Sequence, residues 1–299
     1  MGKFNKDIIF KGAATALVTP FDENGAVDYK TLAKLIDFQI AGGIDALVIC
    51  GTTGEASTLT DEEHRECIRF SVEHTAGRVP IIAGTGSNDT DYANSLSQYA
   101  CEVGADALLL VTPYYNKATP KGLIKNFLDT AEKTDKPIIL YNVPSRTGVN
   151  ITMPVYRELA KHERIVAVKE ASGNMSQIAE IAAELSDDLA IYSGNDDQIV
   201  PILSLGGQGV ISVLSNLLPK ETHDICQKFF DGDVAGSRDL QLKYLSLINN
   251  LFIEVNPIPV KTALSMMGYC DNLLRLPLCD MSDENHKELE QVMKLYHLI

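Results

Sequence analysis

The chain has 299 residues, 45% of them hydrophobic, with a mean hydropathy of zero, which suits one large or two modest α/β domains with ample core. A formal net charge of −14 argues against nucleic acid or an anionic membrane as partner, because phosphate backbones attract basic faces. No apolar run approaches the roughly 18 residues that a membrane helix needs.

At the N-terminus, Met-Gly-Lys-Phe-Asn-Lys has no apolar signal core, and Lys6 stands where a myristoylation signal wants Ser or Thr. A cytoplasmic location is expected. The six cysteines (50, 67, 101, 226, 270 and 279) include no C-x-x-C pair, so buried reduced thiols are expected rather than a disulfide framework or a zinc site.

Along the chain, eight short apolar runs alternate with amphipathic stretches. They cover residues 13–19, 46–50, 80–84, 107–112, 137–141, 165–169, 190–193 and 209–212. Continuous runs of this length fit parallel strands buried on both faces. Between them, residues 29–41 place Leu32, Leu35, Ile36 and Ile40 on one helix face. Residues 60–75 open with Thr60 and carry Glu63 three positions later, a capping box. Residues 90–103 and 121–134 repeat the helical pattern. After residue 212 the chain reads as helices at 219–230, 234–252, 257–267 and 282–298.

Strand starts recur at the spacing of one βα unit, and eight units close a barrel. The fold class is therefore α/β: a (β/α)8 TIM barrel over residues 1–218, with a C-terminal helical region, 219–299, packed on it. An open doubly wound sheet is the alternative, but the first strand is followed by no Gly-x-Gly-x-x-Gly.

A barrel collects its chemistry at the C-terminal ends of its strands. Lys169 follows Ile165-Val166-Ala167-Val168, and alternation aims it into the interior. Partial desolvation of a lysine there favours the neutral amine, which can attack a carbonyl; the plain alternative is a solvated strand end. Tyr141, ending strand 5, neighbours it in barrel order and can pass protons, or is simply a core tyrosine. Thr52 and Thr53 lie in a Gly-bracketed turn whose backbone N–H groups suit a carboxylate. Arg146, five residues beyond Tyr141, suits bidentate capture of another.

The six histidines form no metal-binding cluster, so no metal is expected. The loops after strands 7 and 8 offer no phosphate cradle. Glu55 and Glu170 are available as a glycosidase pair, with no other support.

These residues together make the chain similar to the dihydrodipicolinate synthase family. The resemblance runs nearly end to end, through Gly51-Thr-Thr-Gly-Glu55, Ala83-Gly-Thr-Gly-Ser-Asn88, Thr112-Pro-Tyr-Tyr-Asn116 and Tyr141-Asn-Val-Pro-Ser-Arg-Thr-Gly148. It continues in Val168-Lys-Glu170, Gly209-Val-Ile-Ser212, Asn256-Pro-Ile-Pro-Val-Lys261 and Leu274-Arg-Leu-Pro277. The resemblance implies Schiff-base condensation of pyruvate on Lys169 with L-aspartate 4-semialdehyde, giving 4-hydroxy-tetrahydrodipicolinate on the route to diaminopimelate and lysine. It implies Thr53 on the pyruvate carboxylate, a proton relay of Thr52, Tyr141 and Tyr115, and Arg146 on the semialdehyde carboxylate. Backbone groups at Gly194 and Ile211 would line the pyruvate pocket.

No metal or organic cofactor is implied. Tyr115 is expected to reach a neighbouring subunit's site in a homo-oligomer, a dimer of dimers. A lysine feedback site found in some members is matched by His64, Asn88 and Tyr114, but not by Ala56, Asp61 and Tyr92, where sensitive members tend to carry Ser, His and Glu. Weak or absent lysine inhibition follows. The rival readings are a sugar-acid lyase of the same superfamily, such as N-acetylneuraminate lyase or a 2-keto-3-deoxy acid aldolase, and a non-catalytic barrel that serves as a scaffold.

Overall fold

The computed structural model describes residue 6 and residues 8–299. Apart from Lys6, the N-terminal stretch read above for signals lies outside the described residues. The chain runs β1 (Gly12–Ala16), α1 (Tyr29–Ala41), β2 (Ala46–Ile49), α2 (Asp61–Thr75), β3 (Ile81–Gly84), α3 (Thr90–Glu102), β4 (Ala107–Val111) and α4 (Pro120–Lys133). It continues with β5 (Ile138–Asn142), α5 (Pro144–Thr147), α6 (Met153–Leu159), β6 (Ile165–Glu170), α7 (Met175–Leu185), β7 (Ala190–Ser193), α8 (Ile199–Ser204) and β8 (Gly209–Ser212). Four helices follow the closing helix α9 (Pro219–Phe230): α10 (Val234–Lys243), α11 (Leu245–Asn250), α12 (Ile258–Met266) and α13 (Asp283–Leu295).

The eight strands pair in parallel, each with its sequence neighbours, and β8 closes on β1. This is the (β/α)8 barrel that the sequence pattern predicts. α9 packs on β1 and β8, which makes it the eighth helix of the outer ring. The capping box of α2 is present, with Thr60 Oγ1 accepting from the Glu63 N–H at 3.2 Å and Glu63 Oε2 from the Thr60 N–H at 3.0 Å. A cap of this kind contributes about 1 kcal/mol.

Two core layers follow from strand alternation. The outer one packs strands against helices through side chains such as Leu47, Ile81, Leu108, Leu140 and Val168. The inner one fills the barrel with Ala14, Ala46, Val48, Ile82, Leu109, Ile139, Tyr141 and Tyr192. Phe10 plugs the floor, stacked on Tyr192 at 4.2 Å, and the Tyr192 hydroxyl donates to the Phe10 carbonyl at 2.6 Å.

Some elements differ from the sequence pattern. β1 ends at Ala16 rather than residue 19, because Val18 N–H turns to Asn216 Oδ1 and Thr19 Oγ1 donates to the Gly54 carbonyl. The stretch 234–252 breaks into α10 and α11 at Tyr244, whose ψ of 5° lies outside helical range. The sequence pattern names no helix where α6, α7 and α8 occur. At seven and six residues α6 and α8 are too short to display a 3.6-residue period, whereas α7 buries Ile178, Ile181 and Leu185 at helical spacing over 11 residues. Of the six free cysteines, 50, 67 and 226 are buried as expected, 101 and 270 are half-buried, and Cys279 is exposed. Among the described residues no helix is long and apolar enough to cross a membrane.

Candidate active site

Lys169 is the penultimate residue of β6, and its direction depends on a local irregularity. Ile165 faces the outer layer, so strict alternation would send Lys169 outward too. The β5–β6 register shifts instead: Ile138 pairs with Ile165, while Ile139 pairs with Ala167. Val166 is the extra residue, and this bulge re-phases the strand so that Ala167 and Lys169 face inward.

The Lys169 side chain is only 6% exposed, and its Nζ lies 4.3 Å from the centroid of the Tyr141 ring. Tyr141 stands directly opposite Lys169 in the register. A lysine head group over a phenol face inside an apolar barrel is a cation–π contact, and it sets the amine beside the Tyr141 side chain. The next residues, Asn142 and Glu170, face outward and are buried. Burial pushes the Glu170 carboxyl above the usual range, opposed by its hydrogen bonds to Ser172, Tyr156 and Asn142.

The turn after β2 carries Thr52 and Thr53 and is held from a distance. Glu55, at φ 53°, has a non-glycine left-handed backbone, a conformation kept only where surroundings enforce it. Here its Oε1 accepts from Lys261 Nζ at 2.6 Å and its Oε2 from the Arg275 N–H at 3.1 Å. Both Lys261 and Glu55 side chains are fully buried. Burial pushes the Lys261 ammonium below its usual range, opposed by Glu55. Thr53, buried, accepts at Oγ1 from Asn256 Nδ2 at 3.0 Å, which leaves its own O–H free to donate.

Arg146 sits on the single turn α5, and its Nη2 donates to the Asn256 carbonyl at 3.1 Å. Asn256 thus touches both Thr53 and Arg146, while its buried Oδ1 has no hydrogen-bond partner among the described residues. A cavity of about 290 Å³ opens here, lined among others by Thr52, Tyr141, Arg146, His64, Tyr92 and Tyr114.

Gly194 closes tightly on Ala171, where an added Cβ would lie 2.6 Å from that side chain. Its N–H donates to the Glu170 carbonyl at 2.8 Å. Ile211 lies in β8, in the inner layer. Just beyond, Asp196 Oδ2 accepts from the Val213 and Leu214 N–H groups at 3.0 and 2.9 Å. Burial pushes this carboxyl upward, against hydrogen bonds from Ser212, Leu214 and Val213 and the charge of Lys169.

Of the eight site residues read from the sequence, Thr52, Tyr141 and Arg146 line this cavity, whereas Lys169, Thr53, Gly194, Ile211 and Tyr115 do not. Tyr115 also differs in exposure: it stands 91% exposed, at φ 71°, in the loop after β4.

The profile of the Dihydrodipicolinate synthetase family matches residues 9–296. The chain belongs to this family. It is 59% identical over 292 residues to a 4-hydroxy-tetrahydrodipicolinate synthase from Lachnoclostridium phytofermentans, covering 97% of this chain and 99% of the relative. It is 57% identical over 291 residues to the enzyme of that name from Clostridium perfringens, covering 97% and 100%. Among solved structures, dihydrodipicolinate synthase from Aquifex aeolicus superposes with a TM-score of 0.95 at 47% identity, covering 97% of this chain and 99% of that one.

Within this dihydrodipicolinate synthetase fold, sequence reasoning singled out eight site residues and missed three that hold them. Asn256 and Lys261 lie in a motif that carries the resemblance, yet only the folded chain gives them partners, 203 and 206 residues away. Asp196 had no local signal beyond its position after strand 7. The glycosidase pair fails, because Glu55 is consumed by Lys261 and Arg275, and Glu170 by an outward hydrogen-bond cage. In the feedback-site region Asp61 is bound by Arg65 at 2.8 Å and by the Tyr92 phenol. His64 Nε2 lies 2.8 Å from the Gly84 carbonyl, and burial holds its imidazole below the usual range.

Proposed function

We propose that the site condenses pyruvate with L-aspartate 4-semialdehyde through a Schiff base on Lys169. The product is 4-hydroxy-tetrahydrodipicolinate, at the first committed step of diaminopimelate and lysine biosynthesis, and the enzyme is a lyase of the class I aldolase type. The amine adds to the ketone carbon, and loss of water gives the imine. Loss of a methyl proton gives the enamine, whose carbon attacks the aldehyde. The substrate's amine then attacks the imine carbon and displaces Lys169 as the ring closes.

The observation that carries this reading is Lys169 Nζ buried 4.3 Å over the Tyr141 ring in a chain of this family. Tyr141, Thr52 and Tyr115 form the proton relay. Thr53 donates its O–H to the pyruvate carboxylate, a role supported by the hydrogen bond it accepts from Asn256. Arg146, fixed through one Nη to Asn256, presents the rest of its guanidinium to the semialdehyde carboxylate. The backbone at Gly194 and Ile211 lines the pyruvate pocket. The reaction needs no metal or organic cofactor.

The active form is a dimer of dimers in the cytoplasm, in which Tyr115 enters the site of a second copy. Its exposure and left-handed backbone support that assignment, since a bare aromatic in a strained conformation wants a partner surface. The catalytic barrel closes with α9 at Phe230 rather than at the expected residue 218, and the helical region after it supplies Asn256 and Lys261. Lysine is a weak inhibitor or none, because Tyr92 offers no carboxylate to an effector's ammonium group.

The test is a steady-state assay with pyruvate and the semialdehyde, coupled to a reductase that consumes the product. Turnover with these substrates is expected to exceed cleavage of N-acetylneuraminate or a 2-keto-3-deoxy acid. The reverse ranking would assign the site to a sugar-acid lyase.

A further inference from the structure

The proposed nucleophile and its proton partner face inward, and what steadies them is on the other side of the sheet. One residue beyond the Tyr141–Lys169 pair, Asn142 stands opposite Glu170 in the same register. Alternation turns that second pair out toward the helices. There the Glu170 carboxylate, fully buried, collects four donors. Asn142 Nδ2 reaches its two oxygens at 3.0 and 3.2 Å, the Tyr156 hydroxyl donates at 3.0 Å, the Ser172 N–H at 3.0 Å and Gln177 Nε2 at 3.4 Å.

These donors come from β5, α6, α7 and the turn after β6. Asn142 is itself locked: its Oδ1 accepts from the Ile151 N–H at 3.0 Å, and its Nδ2 also donates to Asn150 Oδ1 at 2.8 Å. No ion pair among the described residues includes Glu170, so the carboxylate is held by hydrogen bonds alone. Burying an unpaired carboxylate is costly unless its lone pairs are filled, and here they are. The backbone joins in, with the Ala171 N–H on the Asn142 carbonyl at 2.9 Å and the Gly194 N–H on the Glu170 carbonyl at 2.8 Å. The ends of β5, β6 and β7 are thereby laced together one residue from the reacting groups.

We infer that Glu170 is a positioning residue for the known reaction: its carboxylate, braced by Asn142 and Tyr156 on the outer face, fixes the inward geometry of Lys169 against Tyr141. The inference rests on the reading of Lys169 as the nucleophile. A displacement of about 1 Å in such a pair costs on the order of a hundredfold in rate. The brace acts on proton transfer and leaves the carboxylate contact at Thr53 alone, so the loss falls on kcat.

The experiment measures kcat per active site in the full-length enzyme, counting sites by pyruvate and borohydride trapping with peptide mapping. Glu170→Ala should lower kcat per trapped Lys169 by about 10- to 100-fold, with KM for pyruvate within about threefold of wild type. Glu170→Gln, whose amide oxygen still accepts from Asn142, should recover most of that loss, and Tyr156→Phe should lose a few-fold. A purely structural role would reduce the number of trappable sites and leave kcat per site unchanged; that result for Glu170→Ala overturns the inference. Should Glu170→Ala not fold, unchanged kcat per site in both Glu170→Gln and Tyr156→Phe overturns it instead. Failure of the wild-type enzyme to trap at Lys169 rejects the underlying functional reading, a separate outcome.

Discussion

The two sides of the barrel mouth differ in how much of their surroundings the chain itself supplies. On the β5–β6 side, Lys169 and Tyr141 are buried, in register and backed by a closed hydrogen-bond cage. On the β4 side, Tyr115 is 91% exposed in a left-handed conformation. Covalent chemistry requires a rigid geometry that one chain can build from adjacent strands. On the proposed reading, Tyr115 completes its part of the relay in a second copy of the chain, a surface that one chain alone does not bring to it.

Mixed oligomers separate the two sides most visibly. Tyr115→Phe and Lys169→Ala should each lose about a hundredfold or more in kcat as pure proteins. Mixed, unfolded and refolded together, they should recover about a quarter of wild-type activity, because half the dimers are hybrids with one intact site of two. No recovery would place Tyr115 in its own chain's site and dissolve the contrast.

The next effect tests the turn that joins the two sides. Lys261→Met should destabilise the protein by about 3–5 kcal/mol, because it leaves Glu55 buried and unpaired. Urea unfolding reads this directly, and a change below about 1 kcal/mol would mean that the turn does not depend on the pair. A smaller and more selective effect is expected at the mouth. Arg146→Ala should lower kcat/KM for the semialdehyde by about 10- to 100-fold, the worth of hydrogen bonds to a charged group, with KM for pyruvate little changed. A rise in the pyruvate KM alone would exchange the two carboxylate assignments. The smallest effect is predicted for lysine itself: inhibition curves should stay flat through the sub-millimolar range, and half-inhibition there would contradict the reading of Tyr92.

Much of this was legible along the chain. Strands buried on both faces produce continuous apolar runs, so eight of them announce the barrel, and a lysine ending such a run stands out. The capping box of α2 is written in Thr60 and Glu63 alone. What stayed hidden depends on contacts far apart in sequence. Neither the Glu55–Lys261 pair nor the Asn256 bridge between Thr53 and Arg146 has a local signature. The alternation that aims Lys169 inward reaches the right answer only because Val166 bulges, a phase shift that no periodicity argument reveals. Glu170 read as a spare acid because the strand pattern cannot say that Asn142 and Tyr156 wait on its outer side.

Lys169 is the proposed covalent nucleophile, and borohydride reduction in the presence of pyruvate tests that assignment most directly. Peptide mass mapping should find one reduced pyruvyl adduct per chain, on Lys169, absent from a folded Lys169→Ala variant. An adduct on another lysine, or full activity with no adduct, would contradict it.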